Sequence, residues 1–236
     1  MSRKRKRPQA LKRVKKRKLV LYSGGQSPTN KRLHEALVRL GRKQAQSMTY
    51  IPFSHENGDY YFKKIKKRYR QFGIKKFVYF AVDSDFLRRE MNEALKSDII
   101  YLAGGNTFYF LKHLRESGFL KRLEKYIKGG GIVAGLSAGA IILTPNINMA
   151  AYPKHDCDVN EVRLKNLHSL GAVDFEFYPH YVPSARTHKA MISYSKKSER
   201  MIVACPDGSG VIVKNAEFRF VGPVYLYYRG QRTKLA

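Results

Sequence analysis

Cysteine is nearly missing from this sequence. Cys157 and Cys205 are the only two in 236 residues. That excludes a disulfide framework and any cysteine-based metal spacing, and it fits a reducing compartment such as the cytoplasm. Long apolar runs are absent as well. No stretch approaches the roughly 18 residues of a membrane span, and the charged start carries no apolar segment of the secretory type. Acidic residues are scarce: 18 Asp and Glu stand against 46 Lys and Arg, a formal net charge of +28. Many of the cations crowd the start, in Met1-Ser2-Arg3-Lys4-Arg5-Lys6-Arg7-Pro8 and Lys12-Arg13-Val14-Lys15-Lys16-Arg17-Lys18, with no acid among them. Such blocks repel themselves and attract polyanions. Residues 1–17 are therefore expected to form a disordered tail, and residues 1–18 to make a nonspecific contact with nucleic acid or another polyanion.

What is present is a globular pattern. With 43% hydrophobic residues, the chain from 18 to 236 can fill one core and is expected to form one α/β domain. Apolar runs over 19–22, 48–53, 77–82 and 99–102 read as strands. Between them, helical spacing links Leu33, Ala36, Leu37 and Leu40, then Tyr61, Ile65, Tyr69 and Phe72, then Leu87, Met91, Ala94 and Leu95, with Asp83 or Ser84 as the cap of the last. Strands alternating with helices at short intervals predict a parallel sheet covered on both faces, with its ligand crevice at the carboxyl ends of the strands. Later regions read less regularly. Residues 145–170 show no periodic element. A strand over 173–177, a helix over 188–197, a strand over 201–204 and short C-terminal strands over 211–213, 218–221 and 224–227 complete the chain.

Two glycine-containing stretches fall where chemistry would. Ala103-Gly104-Gly105-Asn106-Thr107-Phe108 leaves the fourth strand and opens a helix, so backbone N–H groups there can approach a ligand closely. Ile132-Val133-Ala134 is a buried strand that runs into Gly135-Leu136-Ser137-Ala138-Gly139, a G-x-S-x-G pattern. The same spacing occurs in ordinary tight turns. As a nucleophile elbow it would put Ser137 at a sharp strand-to-helix turn, where only small neighbours let the chain fold back. The Ala138 amide would be one oxyanion donor, and Gly104 or Gly105 the second.

A serine nucleophile needs a base and an orienting acid. Seven histidines are available. His34 and His113 sit beside cations on helices and read as surface residues. His55 and His155 lie in loops without a supporting pattern. His180 follows a strand and a proline, at a strand's carboxyl end, and ranks first. His188, at a helix start, ranks second. For the acid, Asp207 lies in the turn Pro206-Asp207-Gly208-Ser209-Gly210, after a strand. Asp156, Asp158 and Asp174 are the alternatives.

Gly104-Gly105-Asn106-Thr107-Phe108, Gly135-Leu136-Ser137-Ala138-Gly139-Ala140, Pro179-His180-Tyr181 and Pro206-Asp207-Gly208, in that order, resemble the peptidase E family of serine peptidases, which includes aspartyl dipeptidases and cyanophycinase relatives. The resemblance spans about residues 18–222. It implies a class I glutamine amidotransferase-like, flavodoxin-type α/β sandwich, with serine in place of the amidotransferase cysteine. It also implies Ser137 as nucleophile, His180 as base, Gly105 and Ala138 at the oxyanion positions, and Asn106 and Thr107 in the substrate-side loop. No metal or organic cofactor is implied. Some members carry the triad aspartate shortly after the nucleophile helix, which here falls near Tyr152. Others use the turn matching Asp207. Where aspartyl dipeptidases resemble one another in a His-Lys-Gly-Glu-Thr-Arg stretch, this chain has His188-Lys189-Ala190-Met191-Ile192-Ser193, without the arginine that can pair with a substrate carboxylate.

The expectation is a serine-type peptidase acting on small peptides. Its rivals are an inactive relative that binds a ligand, and a nucleic-acid-associated protein working through its basic surface. Glutamine amidotransfer is disfavoured, since neither cysteine lies at the elbow.

Overall fold

The computed structural model describes residues 17–24, 28–41 and 43–235. The basic tail lies outside these residues except for Arg17, whose guanidinium donates to the Gly171 carbonyl at 3.0 Å. The central sheet is built from β1 (Lys18–Tyr22), β2 (Ser47–Ile51), β3 (Lys76–Tyr79), β4 (Ile99–Leu102), β5 (Ile132–Leu136), β8 (Gly210–Lys214) and β9 (Glu217–Val221). Its order is β3-β2-β4-β5-β1-β8-β9. The first five strands run parallel, while β8 and β9 are antiparallel additions at one side.

Strand alternation divides the core. Leu19 and Leu21 point to one face with Ile100, Leu102 and Val133; Val20 and Tyr22 point to the other with Tyr101 and Ala134. Helices α3 (Arg88–Ala94), α4 (Thr107–Glu116), α5 (Phe119–Lys128) and α6 (Ala138–Ile142) supply residues to the first layer, and α1 (Lys31–Arg39) and α2 (Gly58–Arg70) to the second. The three-layer α/β sandwich is thus the one expected. No helix of the described residues is long and apolar enough to cross a membrane.

The structure departs from the sequence reading in four places. Two strands that follow the elbow do not join the central sheet. β6 (Glu176–Tyr178) and β7 (Ile202–Ala204) pair with each other and extend through β10 (Tyr225–Tyr228) to β11 (Gln231–Lys234), forming a second, four-stranded sheet. Helix α7 (Ala185–Lys197) packs on it through Met191. β11 itself gave no signal, because all four of its residues are polar and exposed. Asp83 and Ser84 do not cap α3, which begins at Arg88 with the Leu87 N–H donating to Glu90 Oε2 at 2.6 Å. Asp83 instead accepts from the His55 N–H and Nδ1, both at 2.9 Å, and from the Tyr109 hydroxyl at 3.1 Å. Finally, His34 is buried, not at the surface. It lies on the Leu33, Leu37, Val38 face of α1, with Nδ1 against the hydroxyls of Tyr69 at 2.9 Å and Tyr22 at 3.2 Å. Burial pulls its imidazole down to about 3, aided by the Arg68 charge.

Candidate active site

Three adjacent strands of the central sheet, β4, β5 and β1, end side by side, and the site is built on those ends. β5 runs straight into α6 with Ser137 between them at φ +50° and ψ −109°, a region L-residues rarely occupy. The turn is held by two backbone bonds to its neighbours. The Ser137 N–H donates to the Tyr22 carbonyl at the end of β1, and the Gly139 N–H to the Ala103 carbonyl after β4, both at 3.0 Å. The glycines of the pattern are required by contact: a Cβ on Gly135 would stand 2.3 Å from the Gly139 carbonyl oxygen, and one on Gly139 would stand 2.4 Å from that of Leu102.

His180 and Asp207 come from the second sheet, after β6 and β7. The Tyr181 N–H donates to the Cys205 carbonyl at 3.0 Å, which ties the two strand ends together. His180 adopts φ +54°, and its ring spans the gap between the sheets. Its Nε2 lies 2.9 Å from Ser137 Oγ and its Nδ1 lies 2.7 Å from Asp207 Oδ1. With Nδ1–H donated to the carboxylate, Nε2 is left as the acceptor for the serine hydroxyl. None of the alternative acids reaches His180. Asp156 Oδ2 accepts from the Tyr178 hydroxyl at 3.4 Å, Asp158 Oδ2 from the Thr107 N–H at 2.8 Å, and Asp174 from Arg200 at 3.4 Å. His188 turns away and faces the Tyr227 hydroxyl at 3.2 Å.

Ser23 carries no signal in the sequence. Fully buried at the end of β1, its hydroxyl donates to the Cys205 carbonyl at 2.6 Å and accepts the His180 N–H at 2.7 Å. It thereby locks the His180 backbone to both sheets. Its neighbour Gly24 leaves room for the Asp207 carboxylate, since a Cβ there would fall 1.9 Å from Asp207 Oδ1. No local pattern could have found this pair, because their partners lie more than 150 residues away.

Gly104, Gly105 and Thr107 flank the serine. Gly104 and Gly105 line a cavity of about 300 Å³ toward Phe53, Tyr61 and Ser137, while Thr107 lines another of about 160 Å³ with Ser137 and His180. Asn106 is different: its side chain caps α4, accepting from the Tyr109 N–H at 3.0 Å and donating to the Val159 carbonyl at 2.8 Å, and it lines neither cavity. Ala138 opens α6, so its N–H has no carbonyl partner within that helix. Cys205 is buried, and burial pushes its thiol up to about 12.

The model for peptidase family S51 matches residues 19–221. The chain belongs to that family. It is 32% identical over 165 residues to an uncharacterized peptidase of Listeria monocytogenes, covering 66% of this chain and 77% of the relative. It is 30% identical over 136 residues to a Peptidase E of Salmonella arizonae, covering 54% and 57%. Among solved structures, a putative peptidase E protein from Listeria monocytogenes matches with a TM-score of 0.67 and 25% identity, over 86% of this chain and 97% of that one. The S51 fold is therefore shared over nearly the whole of that relative. Membership agrees with the peptidase E resemblance carried by the glycine loop, the elbow and the histidine turn.

Proposed function

We propose that the chain is a serine-type peptidase of small peptides, with Ser137, His180 and Asp207 as its catalytic residues. The observation that carries this reading is the continuous chain of hydrogen bonds from Ser137 Oγ through both ring nitrogens of His180 to Asp207 Oδ1, set on a strained elbow. Ser137 attacks the scissile carbonyl carbon while His180 Nε2 takes its proton. Asp207 keeps Nδ1 protonated and stabilises the imidazolium that forms. The amides of Ala138 and Gly105 receive the oxyanion, aided by the positive end of α6. His180 then protonates the departing amine. Water, activated by the same nitrogen, releases the acyl group from Ser137.

Short-peptide hydrolysis followed by mass spectrometry tests the reading. Wild-type protein is expected to cleave members of a mixed di- and tripeptide set, and Ser137→Ala to lose about 10⁵-fold or more in kcat. Undiminished cleavage by Ser137→Ala would sink the assignment. A wild-type protein that cleaves nothing and binds a peptide unchanged would favour the inactive, ligand-binding alternative.

A further inference from the structure

Two cavities open on Ser137, and no lysine or arginine among the described residues lines either, in a chain that carries 46 of them. Elsewhere the surface follows the composition: in a cavity of about 1020 Å³ beside α1 and β9, Arg32, Arg39, Lys214, Arg219 and Lys234 outnumber Glu35 and Glu217. The cavity on the α4 side of Ser137 is the opposite case. Asp156 and Asp158 both line it. Each carboxylate has one oxygen engaged, by Tyr178 and by the Thr107 amide respectively. No hydrogen bond among the described residues uses the other oxygen of either. Thr107 lines the same cavity, and its fully buried hydroxyl has no hydrogen-bond partner among the described residues. A buried hydroxyl left unpaired is costly unless a ligand completes it.

From these features we infer that this cavity binds a cationic group of the substrate, either a lysine- or arginine-type side chain or a free amino terminus. The inference rests on Ser137 being the nucleophile. The free oxygens of Asp156 and Asp158 accept from an ammonium, and the Thr107 hydroxyl offers a third acceptor when its own proton points away from the ligand. Ile141, Met149 and Tyr152 line the remaining wall and suit the alkyl stem that a basic side chain carries. An acidic substrate group would meet two like charges here, with no lysine or arginine among the described residues lining the cavity to offset them.

Diphenyl aminoalkylphosphonates test this directly. The serine oxygen bonds to phosphorus, phenoxide leaves, and the mass added to Ser137 reports the rate. The probes carry lysine-like, norleucine-like or glutamate-like side chains, each with a free and an acetylated amine. In wild type, the lysine-like probe is expected to label about tenfold faster than the norleucine-like one, with the glutamate-like probe slowest. If the amino terminus is the bound group, free-amine probes will instead outpace acetylated ones by a similar factor whatever the side chain. Asp156→Asn should shrink the advantage and Asp156→Lys should turn it toward glutamate. Asp156 is exposed and its side chain bonds only to Tyr178 among the described residues, so these variants keep the fold. Labelling of Ser137 that ignores charge in both arms, or that favours glutamate, overturns the cationic site and leaves the serine peptidase standing. No labelling of Ser137 by any probe overturns both.

Discussion

Asp207 is half of a polar contact that decides which nitrogen of His180 carries the proton. Replacing it with asparagine keeps the shape but lets the ring take the wrong tautomer, so kcat is expected to fall about 10³- to 10⁴-fold with little change in thermal stability. Ser23 acts on the same ring from behind. Ser23→Ala leaves the part-buried His180 N–H without its acceptor at 2.7 Å, at a cost of about 1 kcal/mol. The expected outcome is a lower midpoint in urea together with reduced kcat, because the left-handed His180 backbone loses its anchor. Gly24→Ala should behave differently. The added methyl would press on Asp207, so activity should fall more than stability, as steady-state kinetics beside a melting curve would show.

Among the elements, the β5–α6 elbow is the most constrained. A methyl on Gly139 meets backbone of β4, which cannot move independently of the sheet, and Gly139→Ala is expected to destabilise the fold by about 1–3 kcal/mol. Calorimetry or urea unfolding checks this. Helix α1 supplies a pH prediction. His34 holds its proton only near pH 3 in the fold, against about 6.5 in the unfolded chain. Its contribution to stability is complete above about pH 6.5 and is lost progressively as the pH falls through that window toward 3, because only the unfolded chain takes up the proton. At pH 5 the loss amounts to about 2 kcal/mol relative to neutral pH. Urea unfolding at pH 7 and pH 5 should show this drop in wild type and a smaller one in His34→Gln.

For the molecule as a whole, the site exists because two sheets meet. Ser137, the proposed nucleophile, rides on the parallel sheet, while His180 and Asp207, its proposed base and acid, ride on the sheet of β6, β7, β10 and β11, joined at Ser23 and Cys205. The elbow was legible in the sequence because its sterics act over five residues. His180 and Asp207 were legible because each follows a strand end, where parallel strands deliver function. The second sheet was not, since its pairings are long-range and β11 is wholly polar. His34 was misread because Lys31 and Arg32 share its neighbourhood in sequence but not its helix face. Ser23 gave no signal at all, its meaning set by partners 157 and 182 residues away. The formal charge of +28 also predicts polyanion binding that weakens steeply with salt and weakens further on deleting residues 1–16, measurable by fluorescence anisotropy with a labelled oligonucleotide.

Reaction with a fluorophosphonate reporter tests the central claim most directly. The account predicts a single labelled residue, Ser137, in the wild-type protein, and labelling that collapses in Ser137→Ala and in His180→Ala. Labelling of His180→Ala at the wild-type rate, or modification at another serine with Ser137 untouched, would contradict it.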